Sequence, residues 1–197
     1  MKSFVILLLI LFSGYNCVYA QERWISNIEL DFVFPNKKDY FYNDGDNKIN
    51  DVELSNQGFL LKSFGIHGDY NYLLLKKLSI GALGGFQTLS DPDYVMLKLG
   101  GILRYYFVDP DNVYIYLQDA HNFSLNKEKF KSGNNLRLGL GFPFLKRESF
   151  NLNANIFYEQ NYFKLDGATP LLGLPVNDEI PRSLTVKSLG ISLGVNF

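Results

Sequence analysis

From Ser188 to Phe197 the chain alternates without a slip. Leu189, Ile191, Leu193, Val195 and Phe197 share one face, and Ser188, Gly190, Ser192, Gly194 and Asn196 share the other. A period of two is the mark of a strand with one apolar face. The pattern recurs along the chain, so the sequence predicts an all-β fold built from strands of one kind.

Seven further runs carry it: Ile25 to Phe34, about Phe59 to Tyr72, Leu78 to Thr88, Val95 to Phe107, Val113 to about Asp119, Asn134 to Phe144, and Phe150 to about Gln160. The final run begins near Arg182. The fifth is apolar on both faces at first, which leaves its sides open. Short polar connections at Leu75-Lys76-Lys77, Asp109–Asn112 and Lys146–Ser149 follow the second, fourth and sixth runs. Another tight turn is expected at Ser90-Asp91-Pro92-Asp93. Long connections, Pro35 to Gln57, Ala120 to Gly133 and Asn161 to Pro181, follow the first, fifth and seventh. The count is about eight strands of about ten residues, the length a tilted strand needs to cross a bilayer, and short turns at one end with long loops at the other fit that geometry.

The chain opens with Lys2, an unbroken apolar run from Phe4 to Phe12, and Val18-Tyr19-Ala20. This reads as a secretory signal peptide over residues 1–20, cleaved after Ala20. The apolar run is too short for a membrane-spanning helix, which needs ~20 residues. Gly14, Tyr15 and Asn16 before Cys17 do not make a lipobox. Because Cys17 is the sole cysteine, the mature chain, residues 21–197, is expected to hold no disulfide or thiolate metal site. Without Lys2 the 19 Lys and Arg become 18, against 20 Asp and Glu. That balance gives no basic stripe for nucleic acid.

Alternation alone does not say which face is outside. The polar face carries Gly65, Gly81, Gly85, Gly100, Gly139, Gly141, Gly190 and Gly194. Small residues suit the crowded inside of a narrow barrel, whereas a watered exterior would carry long charged side chains. Tyr70, Tyr72, Tyr105, Phe107, Phe142, Phe144, Phe150 and Phe197 gather on the apolar face at the short-turn end, as an interfacial girdle would. The apolar face is therefore expected to meet lipid.

That orientation sends Glu29, Asp31, His67, Asp69, Lys98, Arg104, Arg137, Glu159 and Lys187 inward as a polar network. An eight-stranded barrel is just wide enough for side chains to fill, and charges in such an interior need partners. A plug of ion pairs is the expected arrangement, with a gated ion path as the alternative.

Asp44, Asp46, Lys48, Asn50 and Glu53 partly follow a calcium loop. Tyr42 stands at the first ligand position and Asn47 at the turn glycine, so a solvated loop is expected and no metal. His121 near Ser124 invites comparison with barrel deacylases of lipid A, but two residues intervene where that family has one, and no catalytic residue is expected. No cofactor motif is present.

The leader, the strand count, the loop asymmetry, the stretch Gly-Ile-Leu-Arg-Tyr-Tyr-Phe at Gly101–Phe107 and the terminal Phe together resemble small bacterial outer-membrane barrels. The nearest type is the porin-family barrel of Bacteroidetes-like bacteria, similar in fold to the OmpA transmembrane domain and OmpX. The resemblance implies an eight-stranded antiparallel up-and-down transmembrane barrel in the outer membrane of a Gram-negative cell. It implies that Leu193, Val195 and Phe197 are the signal read by the barrel-assembly machinery, and that the barrel meets outer-membrane lipids and lipopolysaccharide. A monomer with a structural or surface-contact role is expected, with a small channel, a solute-binding barrel or a lipid A-modifying enzyme as alternatives.

Overall fold

The computed structural model describes residues 24–54, 60–147, 149–175 and 178–197. The expected leader, its cleavage site, Cys17, Phe59 and Glu148 lie outside them. The strands are β1 (Trp24–Asn43), β2 (Ile49–Leu54), β3 (Ser63–Leu75), β4 (Leu78–Ser90), β5 (Asp93–Tyr106), β6 (Tyr114–Ser124), β7 (Ser132–Lys146), β8 (Asn151–Lys164) and β9 (Ile180–Asn196). Neighbours pair antiparallel, and β1 pairs back onto β9. β1 and β3 to β9 thus close an eight-stranded up-and-down barrel, and no described residue is helical.

Alternation sets the two faces as expected. Leu138, Ile156, Ile191 and Leu193 are each about half exposed on the outer wall, while Asp31, Arg137 and Glu159 are at most 3% exposed inside. Glycine has a steric reason to face inward here. A Cβ on Gly139 would lie 2.5 Å from the Tyr116 ring, and one on Gly141 would lie 2.1 Å from the Tyr114 ring. The bulk of β6 is accommodated by the bareness of β7. This also settles the fifth run: Tyr114, Tyr116, Gln118 and Asn122 are buried inside, and Ile115, Leu117, Asp119, His121 and Phe123 face out.

At the short-turn end Trp24, Tyr70, Tyr105, Phe107, Phe142, Phe144 and Phe197 are exposed on the wall. Trp24 stacks on Tyr70 at 4.8 Å between ring centroids. Phe197 closes the seam: its N–H donates to the Ser26 carbonyl at 2.9 Å and its carbonyl accepts from the Ser26 N–H at 3.3 Å.

β2 is an element the alternation did not predict. The first strand does not end at Phe34. It bulges between Pro35 and Lys37 and continues to Asn43, with β9 on one side and β2 on the other. β3 has ended by then, so the β1–β2 hairpin stands above the rim. Its turn is held by Asp44, whose carboxylate accepts the N–H groups of Asp46 and Lys48 at 3.1 and 2.9 Å and the Asn50 amide at 3.1 Å. The residue that suggested a cation loop is spent on closing a hairpin.

Candidate functional site

The barrel interior is stacked in layers, and the middle one is ionic. Arg104 from β5 forks onto Asp69 of β3, Nη1 to Oδ1 at 2.6 Å and Nη2 to Oδ2 at 2.8 Å. The guanidinium lies 5.5 Å from the Tyr114 ring centroid. Glu29 of β1 stands beside it, with one oxygen 3.5 Å from Nη2. The other accepts the Asn155 amide at 2.8 Å and the Ser192 hydroxyl at 2.9 Å. Asn27 and Asn71 donate to the same pair of carboxylates.

Toward the long loops lies a second knot. Arg137 of β7 donates from Nη2 to Asp31 Oδ2 at 2.8 Å and to Glu159 Oε2 at 2.9 Å, and its guanidinium packs 3.8 Å from the Phe157 ring centroid. Lys98 reaches Glu159 at 3.4 Å. Gln87 and Asn161 donate to the other oxygen of Glu159 at 2.8 and 2.9 Å, and Asn135 adds a bond at 3.2 Å. His67 joins the knots: Nδ1 is 3.1 Å from Asp31 and Nε2 is 3.5 Å from Glu29. Four carboxylates thus face Lys98, Arg104, Arg137 and an imidazole with both nitrogens turned to acids. These are charge-assisted bonds crossing from wall to wall.

Eight of the nine residues expected in the network are in it; Lys187 is not. Strict alternation puts Lys187 on the face of Leu189, outside the barrel, where its Nζ meets Asp39 at 3.1 Å. The bulge after Pro35 brings Lys37 opposite Lys187, and Asp39 serves both ammonium groups. Sequence reasoning also missed Gln87, Asn135, Asn155 and Asn161. Their signal was parity: each lies on the polar face of its strand.

Glu29, His67 and Asp69 also stand close enough for three-point metal ligation. Both oxygens of Asp69 are taken by Arg104, so a cation would first have to displace a guanidinium. The set is built for arginine.

Above the ionic layer the interior turns apolar. Tyr94, Phe130 and Phe163 meet at 4.8 to 5.1 Å between centroids, with Tyr40, Met96, Leu165 and Leu184 packed around them. Leu171 and Leu172 of the β8–β9 connection cover this cluster. Glu179 latches the connection down. Its buried carboxylate accepts the Tyr40 hydroxyl at 2.8 Å and the N–H groups of Leu171, Leu172 and Leu174 at 2.7, 2.9 and 3.1 Å. Burial pushes its pKa up, but the Leu172 N–H, the Tyr40 hydroxyl and the other two N–H groups outweigh burial and hold it below the usual glutamate range. The latch is therefore complete above that range and is lost as pH falls through the depressed value. Glu179→Gln removes an acceptor and costs the cover about 1–3 kcal/mol. Cleavage at Leu171–Leu174 in the folded barrel is expected to rise in this variant with chymotrypsin at neutral pH, and in the parent only in acid, where the acid-active protease pepsin reads it. Cleavage equal in both at all pH values would refute the latch.

At the same mouth the buried Lys38 of β1 reaches the Asp91 carboxylate at 2.8 Å, which Lys62 also meets at 3.1 Å. The Lys38 bond, supported by Lys62, holds the Asp91 carboxyl below the usual aspartate range. Lys38 falls in an expected connection because the bulge after Pro35 breaks the parity of β1.

His121 and Ser124 lie on opposite faces of β6. The imidazole faces out, against the Phe123 ring and 3.0 Å from Asn134 Oδ1, while Ser124 faces in and accepts the Asn126 N–H. Residues three apart in a strand cannot make a dyad.

No family model and no curated protein matches the chain. Among solved structures it is similar to Neisserial surface protein A, at 12% identity over 89% of this chain and 96% of that one, with a TM-score of 0.48. It is also similar to the outer membrane protein AlkL in lipid bilayers, at 12% identity over 92% of each chain and a TM-score of 0.49. A third is the outer membrane protein OprG from Pseudomonas aeruginosa, at 13% identity over 88% and 95%, with a TM-score of 0.46. Likeness this distant assigns no activity, and the barrel rests on its own strand pairing.

Proposed function

We propose that the chain is an integral outer-membrane barrel, a sealed pin whose role is structural or lies in contacts made by its outer loops, without catalysis or conduction. One observation carries the reading: the wall is apolar while the centre holds paired charges. Such a wall exposed to water would be an aggregation surface, and in a bilayer it is satisfied. The aromatic ring at the short-turn end is where headgroups would lie. The ionic knots and the aromatic stopper above them support a lumen that does not conduct. The expected partners are outer-membrane lipids, lipopolysaccharide and the barrel-assembly machinery, the last through Leu193, Val195 and Phe197, and the barrel is a monomer.

Unboiled protein from the outer-membrane fraction is expected to run as a compact, heat-modifiable band, and planar bilayers containing it are expected to stay silent at all voltages. Trp24, the only tryptophan, should be quenched by lipids brominated near the headgroup. Finding the protein in the soluble periplasmic fraction refutes the membrane reading. Conductance at any voltage refutes the seal alone.

A further inference from the structure

The chain holds two Asp-Gly pairs, Asp44–Gly45 and Asp166–Gly167, both in connections at the long-loop end. Such a pair carries a chemistry of its own. Glycine has no side chain to shield its amide nitrogen, and that nitrogen can close a small ring on the carboxyl carbon of the aspartate before it.

The fold treats the two pairs differently. Asp44 is tied down on every side. Its carboxylate accepts the Asp46 and Lys48 N–H groups and the Asn50 amide. Its carbonyl accepts the Asn47 N–H at 2.9 Å, and its own N–H donates to the Lys48 carbonyl at 3.0 Å. Neither its carboxyl carbon nor its peptide plane can turn toward the Gly45 nitrogen without breaking these bonds. Asp166 and Gly167 are exposed at the apex of a turn that opens the β8–β9 connection. Among the described residues nothing bonds to the Asp166 side chain, the Asp166 carbonyl or the Gly167 N–H. Gly167 has φ +76°, and a Cβ built on it would meet nothing within 4 Å, so the peptide between the two residues has room to rotate. The flanks are fixed instead. The Leu165 N–H donates to the Arg182 carbonyl at 2.8 Å, the Ala168 N–H donates to the Leu165 carbonyl at 2.6 Å, and both side chains are buried in the apolar stopper.

We propose that Asp166–Gly167 is a site of spontaneous backbone isomerisation, and that the fold shields Asp44–Gly45 from the same reaction. The Gly167 nitrogen attacks Cγ of the protonated Asp166 carboxyl. The new N–Cγ bond forms as the carboxyl hydroxyl leaves with the amide proton as water. Water then adds back at either carbonyl carbon of the succinimide. Breaking the N–Cγ bond restores aspartate, and breaking the original peptide N–C bond leaves isoaspartate, with the chain running through the side-chain carboxyl. Nothing is oxidised or reduced, and the composition is unchanged. The product lengthens by one methylene a turn whose two ends are anchored in the stopper.

The test ages the full barrel, folded in detergent at neutral pH in water enriched in oxygen-18, beside the same chain unfolded in guanidinium. After transfer to ordinary water, trypsin puts the pairs in separate peptides, residues 39–48 and 165–182. Electron-transfer fragmentation then assigns label and isoaspartate to a residue. In the folded barrel both are expected at Asp166, and at Asp44 at least about tenfold more slowly, the factor set by breaking a single charge-assisted hydrogen bond. In denaturant the two sites should react at similar rates. Asp166→Glu, whose longer side chain must close a larger ring, should leave residue 166 unlabelled. Similar rates at both sites in the folded barrel, a faster Asp44, no isoaspartate at Asp166 until the chain is unfolded, or label that persists in Asp166→Glu overturns the proposal.

Discussion

Replacing Arg137 by methionine is expected to lower the unfolding free energy by about 3–5 kcal/mol, the cost of leaving buried charges without their partner. Arg137 is essentially fully buried and bonds to Asp31 and Glu159 at once. Without it the two carboxylates share the same enclosed space, with only His67 and Lys98 as counterions. Methionine fills most of the volume over Phe157, so the loss reads out charge more than packing. A second substitution sharpens the test. Glu159→Gln in the Arg137→Met background should recover part of the loss, because removing both members of a buried pair is far less costly than removing one. Urea unfolding of the reconstituted barrel, followed by Trp24 fluorescence, gives both numbers. A single variant within ~0.5 kcal/mol of the parent, the range of neutral surface changes, would mean the knot does not hold the barrel together.

Gly100→Leu should be comparably damaging for a different reason. A Cβ at Gly100 would lie 2.1 Å from the Asp119 carbonyl oxygen and 2.5 Å from the Ala120 Cα. Both belong to the backbone of β6, so no rotamer change relieves the clash and two strands must part. Overpacking of this kind costs about 1–3 kcal/mol or more. The neighbouring Gly101 faces outward, and its added Cβ would come no nearer than 3.6 Å to another atom. Gly101→Ala is therefore expected to fold as the parent does, by heat-modifiable mobility and unfolding midpoint. Equal tolerance at both positions would contradict the assignment of faces along β5.

The parity of side chains made the barrel legible. Where a strand is polar on one side and apolar on the other, as Asn134 to Phe144 is, the sequence predicts strand, face and neighbours together. It failed where parity is interrupted. The bulge after Pro35 hid the outer half of β1, and with it Lys38, Tyr40 and the β2 hairpin. β6 hid its sides because Tyr114 and Tyr116 fill the lumen with rings as greasy as the outward Ile115 and Leu117, and the glycines that make room for them are on β7. Lys187 departs from the expected network because parity, not charge, sets its face. Glu179 lies in a connection with no period, and its role depends on backbone N–H groups that composition does not report.

The acids of the first strand have consequences for how the barrel is made. Glu29 takes Asn155 and Ser192, and Asp31 takes Arg137, so beyond Asn27, His67 and Arg104 β1 draws partners from β7, β8 and β9, which follow it late in the barrel. On the membrane reading, a half-built sheet of β1 and β3 to β6 would enter the bilayer with Glu29 and Asp31 short of those partners, served only by Asn27, His67 and Arg104. On that reading strand-by-strand insertion is less favourable until β9 arrives, and β1 and β9 are expected to meet before, or while, the sheet crosses. The ionic core acts as a checkpoint on closure, since a barrel without β9 lacks the Ser192 hydroxyl for Glu29 and the edge that pairs with β1.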